Sequence, residues 1–285
     1  IRGTLYRDVL EWSRSIDKMR ALEPEHMAPS HTRPVSGAER ISEILTAYRD
    51  AIQYVHDQTI RGMNQGLTPD ELVERVVLPP HLREHPWLQE FYGTVEWSVR
   101  SVFHGYLGWF DGDSATLSPA PPQERSAGYV ALAGGSEATL TAVREAIDAG
   151  RFAWAAELAT HVLRVEPFSE EARTLKARAL RELGRRSVSP NGRHYYLTPA
   201  RELEGHVAVD ESNGARGSRE ILEAIPIRNV LSAMTVGLSP EKSADVEMAV
   251  GFRFRDVGED YGFHVRRGVA ELRRGLPESA DAVLS

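Results

Sequence analysis

Ten histidines, 41 carboxylate residues and no cysteine bound the chemistry open to this chain of 285 residues. Without thiols there are no disulfides, thiolate metal sites or cysteine nucleophiles, so any metal must be held by imidazole or carboxylate. The histidines form no His-x-His-x-Asp-His and no His-Glu-x-x-His, and no glycine-rich phosphate loop is present. His81 and His85 stand four apart, a spacing at which one helical face presents two imidazoles to one ion. They fall between Pro79-Pro80 and Pro86, where a regular helix is not expected, and read as surface or packing residues. His31 is set differently, between Pro29 and Pro34 and two residues before Arg33. Proline-stiffened backbone holds a ligand still, as a metal site requires. On spacing alone the plainer reading, a hydrogen-bonded loop histidine, is favoured over a ligand.

The elements that would position these residues follow from periodicity. Leu5, Val9, Trp12, Ile16, Met19 and Leu22 recur every three or four residues, predicting a helix that Pro24 ends. The loop carrying His31 follows, after a strand of one or two residues. Ser36 and Glu39 then read as a capping box opening a long helix to Gly66, about 28 residues or roughly 42 Å. Thr68-Pro69-Asp70-Glu71 is a second capping box, opening a short helix through Val77. Trp87 to Phe110 reads as an aromatic-rich helical stretch. Aromatics at helical spacing are usually core.

From Ser136 the chain turns alanine-rich. Helices over 137–149, 152–165 and 169–183 are broken by Gly150, Pro167 and Gly184, and the last two resemble a single tetratricopeptide-like hairpin. One such unit cannot stand alone and must lean on the helices before it. A helix from Tyr195 to Leu203 leads into a linker, and residues 219–234 look helical. Beyond them Val246, Met248, Val250, Phe252 and Phe254 alternate, as do Tyr261, Phe263 and Val265 after a turn at 256–260. Ala280 to Ser285 reads as a further strand. The fold expected is mainly α, followed by a small, partial α+β domain.

The net charge of −7 and pI near 5.9 argue against a nucleic-acid partner, because phosphate tracking needs clustered Lys and Arg. No apolar run approaches the roughly 20 residues of a membrane span. The chain opens on Ile1, shows no signal peptide and leaves its compartment open. Both ends read as cuts in a longer protein.

Several stretches together resemble the bacterial alkyl sulfatases of the metallo-β-lactamase superfamily. They are Arg2-Gly3-Thr4 with Tyr6-Arg7-Asp8, Ser30 to Gly37, Tyr48 to Thr59, Arg61 to Asn64, Glu90 to Gly93, Gly105 to Gly112, and Asn191 to Leu197. The resemblance implies a three-part protein. Residues 1–36 would be the end of a metallo-β-lactamase-like catalytic domain and 37–205 an all-helical dimerisation domain. A linker over 206–218 would precede a partial domain, 219–285, like sterol carrier protein 2. The family hydrolyses alkyl sulfate esters such as dodecyl sulfate to an alcohol and sulfate, with two zinc ions. By this resemblance His31 matches a metal ligand, and Arg2 matches an arginine that grips the sulfate through paired donors. Arg33 either does the same or makes a structural salt bridge. Some relatives carry His and Trp where this chain has Thr32 and Arg33, which puts the substrate subgroup in doubt, secondary alkyl sulfates being one option. His56-Asp57 either stiffens an active-site wall or is a packed polar pair. The remaining metal ligands would lie upstream of Ile1, so the chain would be a homodimeric piece of an enzyme and inactive alone. The alternative is a non-catalytic dimerisation and lipid-binding protein.

Overall fold

The computed structural model describes residues 6–207 and 223–285 and divides into two compact units, Ile1–Val209 and Asp210–Ser285. In the first unit, helix α1 (Val9–Arg20) starts where the Asp8 carboxylate accepts from the Leu10 and Glu11 amides, which have no helical partners of their own. Two short strands, β1 (His26–Met27) and β2 (Val35–Ser36), pair antiparallel and lead into α2 (Ala38–Met63), a helix of 26 residues. The Ser36–Glu39 capping box is not formed. Gly37 is the N-cap at φ 107° with no side-chain cap, because Ser36 is held in β2 and its hydroxyl meets His26 Nδ1 at 2.9 Å.

The Thr68–Glu71 box does form and opens α3 (Pro69–Arg75). Next come α4 (Pro80–Arg83), a 3-10 turn at Pro86–Leu88, and α5 (Val95–Leu107). The aromatic stretch is therefore not one helix. Thr94 caps α5 through its hydroxyl, and the Glu90 carboxylate takes the Val95 amide, so residues 89–94 form a loop. The core reading of the aromatics holds only in part: Trp87 packs on the Ile16, Val35 and Ile41 cluster and Phe103 is buried. Phe91, Tyr92, Tyr106 and Trp109 are half or more exposed, and only Phe103 among the aromatics of α5 is buried, beside Val99 and Val102. Val99 and Phe103 of that stripe pack with Val55 on α2 and Leu72 and Val76 on α3.

Short α6 (Ser114–Leu117) precedes α7 (Pro122–Leu132), α8 (Ser136–Asp148), α9 (Phe152–Val165) and α10 (Glu170–Arg186). Ala155, Ala159, Ala172 and Ala179 are solvent-free, which lets α9 and α10 approach closely, while Val130, Val143 and Ile147 of α7 and α8 close the same core. Helix α11 starts earlier than its periodicity indicates, at Pro190 rather than Tyr195 (Pro190–Leu203). Pro at the first position gives up no hydrogen bond, and the Ser189 hydroxyl caps Gly192 N while donating to the Tyr92 carbonyl at 2.7 Å.

In the second unit, α12 (Ile227–Val236) packs Leu231 against Tyr261 and Phe263 of a four-stranded sheet. Strands β3 (Glu247–Phe254), β4 (Glu259–Arg266) and β5 (Val269–Arg274) form an antiparallel meander. Strand β6 (Ala282–Leu284) returns parallel to β3, giving the order β5-β4-β3-β6. Part of the helix read over 219–234 lies outside the described residues. The return passes Leu276 and Pro277 across paired Gly251 and Gly262, where any Cβ would meet Leu276 Cδ2 at 2.9 Å or Pro277 at 3.0 Å.

The meander carries an acid-sensitive tie. Glu271 accepts from Arg273 Nε at 2.8 Å and from Arg266 at 2.6 Å. These guanidiniums hold its carboxyl at about 2, below the ordinary 4.5. A depressed carboxyl stabilises the fold fully above the unfolded value near 4.5 and loses that effect as the pH falls towards about 2. Glu271→Gln is expected to lower the urea midpoint of the β3–β5 amides, followed by NMR, at neutral pH and to leave it unchanged near pH 2. Equal midpoint losses at both pH values would show that the charge is not responsible.

Candidate functional site

The β1–β2 hairpin presents the residues singled out for metal and oxyanion binding. Both strands are anchored: Val35 is buried with Ile16, Ile41 and Ile44, and Met27 packs on the same cluster. Between them His31 and Arg33 stand exposed at the loop tip. Neither makes a hydrogen bond or ion pair among the described residues. Arg2 lies outside the described residues. The structure therefore brings His31 and Arg33 to one loop and leaves Arg2 unplaced.

His81 and His85 do not converge on an ion. His81 sits on α4, whereas His85 precedes the 3-10 turn, its Nδ1 accepting from the Trp87 amide at 3.3 Å and its Nε2 3.8 Å from Glu43. Among the described residues no three His, Asp or Glu side chains come together to hold a metal. The described residues thus hold no complete metal centre, and His31 supplies one imidazole.

A second constellation lies on α2 and α5. His56 is 6% exposed, and its Nδ1 meets Asp57 Oδ1 at 2.8 Å. A carboxylate only accepts, so Nδ1 carries the proton and Nε2 is left to accept from the Tyr106 hydroxyl, also at 2.8 Å. Gln53 donates to the other oxygen of Asp57 at 3.1 Å. His56 and Asp57 open onto a cleft of about 490 Å³, shared with Ile60, Arg61, Asn64 and Gln65. Adjacent on α5, Gly105 is covered by the ring of Tyr6. Burial pushes the Tyr6 phenol up, and the neighbouring Tyr106 and Asp8 push it further. The polar-pair reading of His56-Asp57 was legible in the sequence; its partner Tyr106, 50 residues on, was not, because nothing local links them.

Residues 68–206 match the family model described as alkyl sulfatase dimerisation. The chain belongs to the alkyl sulfatase family. A linear primary-alkylsulfatase of a Pseudomonas species is 47% identical over 284 residues, covering 97% of this chain and 54% of that protein. An (R)-specific secondary-alkylsulfatase, also from Pseudomonas, is 31% identical over 290 residues, covering 99% of this chain and 43% of that protein. Among solved structures, the stereoselective inverting sec-alkylsulfatase Pisa1 from Pseudomonas superposes with a TM-score of 0.91 at 30% identity, over 99% of this chain and 45% of that one. The chain spans about half the length of the relatives it matches. No helix among the described residues is long and apolar enough to cross a membrane.

Proposed function

We propose that this chain is part of a zinc-dependent alkyl sulfatase that hydrolyses alkyl sulfate esters of the dodecyl sulfate type to an alcohol and inorganic sulfate. The observation carrying this reading is the 47% identity to a linear primary-alkylsulfatase over 97% of the chain. In this reading residues 1–36 end the catalytic domain, 37–205 form the dimerisation domain, 206–218 link, and 219–285 are a partial domain like sterol carrier protein 2. The functional unit is a homodimer. His31 is one metal ligand, in a site whose other ligands lie outside this chain. Arg2 and Arg33 bind the sulfate group, for which a guanidinium supplies paired, permanently charged donors.

Support for His31 is its position: exposed, unpartnered among the described residues, and carried on a loop pinned by two strands and two prolines. In this reading the chain is inactive alone, since the described residues bring no three His, Asp or Glu side chains together and a catalytic zinc commonly takes three protein ligands. The test is sulfate release from dodecyl sulfate by the full-length protein and by this chain, with zinc content and molecular mass measured on both. The expected result is an active, zinc-loaded full-length dimer and an inert chain that still dimerises. Activity in the chain alone would mean the site is misplaced. A full-length protein that binds no zinc and cleaves no sulfate ester, yet dimerises and takes up lipid, would establish the non-catalytic alternative.

A further inference from the structure

Helix α7 buries only Ser126 and Val130, and the rest of it faces outward. A surface helix ordinarily covers that outward side with charge, yet no charged residue stands between Arg125 and Glu137. Ala127, Gly128, Tyr129, Ala131 and Leu132 are exposed there instead, Leu132 to 86%. The face continues onto α9. The Tyr129 ring lies 5.0 Å from the His161 ring, centroid to centroid, and Ser126 Oγ meets His161 Nδ1 at 3.0 Å. Trp154, half exposed, stands two turns before His161, so both lie on one side of α9. Opposite charges border this surface, Arg125 on α7 and Glu157 on α9, each near enough to act on the His161 imidazole. Neither forms an ion pair among the described residues.

We infer that the α7–α9 face is the seam on which a second copy of this chain docks. This rests on the reading of the functional unit as a homodimer, and the whole face lies within residues 68–206, the segment that matches the dimerisation model. An apolar centre anchored by Tyr and Trp, with charge kept to its border, is the composition of an interface core. In a two-fold dimer the same patch meets itself, so each copy offers its partner both Arg125 and Glu157, and the seam is complementary in charge. Residues read as the end of the catalytic domain pack elsewhere. Ile16 and Val35 share a core with Ile41 and Ile44, whereas α7 closes the core of α8, α9 and α10. That separation favours a second copy over the catalytic domain as the cover of α7.

The experiment uses the full-length protein, its molecular mass followed by sedimentation over a range of concentrations. The parent is expected to be a dimer. Leu132→Arg is expected to raise the dissociation constant about a hundredfold or more, because each copy would press a guanidinium into apolar surface. Position 132 is exposed in the single chain, so the variant is expected to keep its fold, read by circular dichroism. Phe91→Arg, at an exposed aromatic before α5, is the control and is expected to leave the dimer intact. A photo-crosslinking phenylalanine analogue at position 132 probes the same contact without breaking it. The expected product has twice the chain mass and is joined to α7 or α9 of the other copy. If Leu132→Arg fails to fold, this cross-link decides alone. A Leu132→Arg dimer as tight as the parent, or a cross-link confined to one chain, overturns the seam and leaves the homodimer reading standing. Equal dissociation by Phe91→Arg also overturns it, as a general effect of added charge. A monomeric parent overturns the homodimer reading and this inference with it.

Discussion

Replacing His31 by alanine in the full-length protein is expected to cut sulfate release by about a thousandfold or more and to lower bound zinc, without lowering the melting temperature. The separation of these effects follows from where the residue sits. His31 is exposed and makes no hydrogen bond among the described residues, so its loss opens no cavity and strands no buried polar group. The hairpin is held by other residues: Val35 is 5% exposed, and the pairing of Met27 with Val35 does not involve the loop tip. Any large loss of activity in this variant therefore reports chemistry rather than folding. A catalytic zinc commonly has only three protein ligands, so removing one is far more damaging than removing a hydrogen bond around the site. Arg33→Ala is the natural control, because it alters the same loop but leaves the proposed ligand in place, and it is expected to raise KM while zinc stays bound. Activity within tenfold of the parent in His31→Ala would return His31 to an ordinary loop residue.

The second large effect is on stability. Leu72 of α3 is fully buried among Val55, Val76, Val99 and Phe103, and its Cδ2 fills the place that a Cβ on Gly62 of α2 would occupy. Leu72→Ala is expected to cost about 3 kcal/mol, roughly a hundredfold in the folding equilibrium, from lost burial and the cavity left behind. Gly62→Ala is expected to destabilise by about 1–3 kcal/mol despite alanine's better helix propensity, because the new methyl overlaps Leu72 and sits 3.3 Å from Leu67 Cδ1. With both changes the methyl of residue 62 enters the space that Leu72 vacates. The double variant should therefore lose clearly less than the sum of the two. Urea unfolding followed by tryptophan fluorescence reads the first unit, which holds all five tryptophans. A loss under about 1 kcal/mol in Leu72→Ala, or strict additivity in the pair, would contradict this packing.

Local physics made much of the fold legible in the sequence. Hydrophobic spacing of three and four marked α1, α2 and the alanine-rich α8 to α10. Strict alternation marked β3 and β4, and the Thr68–Glu71 box marked the start of α3, because a cap and its helix are neighbours in the chain. The proline-held loop that carries His31 was visible for the same reason. Tertiary context decided the rest. Ser36 offered a cap, but pairing with His26 claimed its hydroxyl and moved the helix start to Gly37. The aromatics near α5 read as core by type, yet Phe91, Tyr92, Tyr106 and Trp109 lie half or more exposed while Phe103 is buried and Trp87 packs on a core cluster. The parallel return of β6 beside β3, the Tyr106–His56 bond and the Tyr6 ring on Gly105 join residues tens of positions apart. Periodicity and capping report only what a residue does within a turn or two of chain. Who meets whom across 50 or 99 positions depends on how filled helix faces leave room for one another, and that is settled only when they pack.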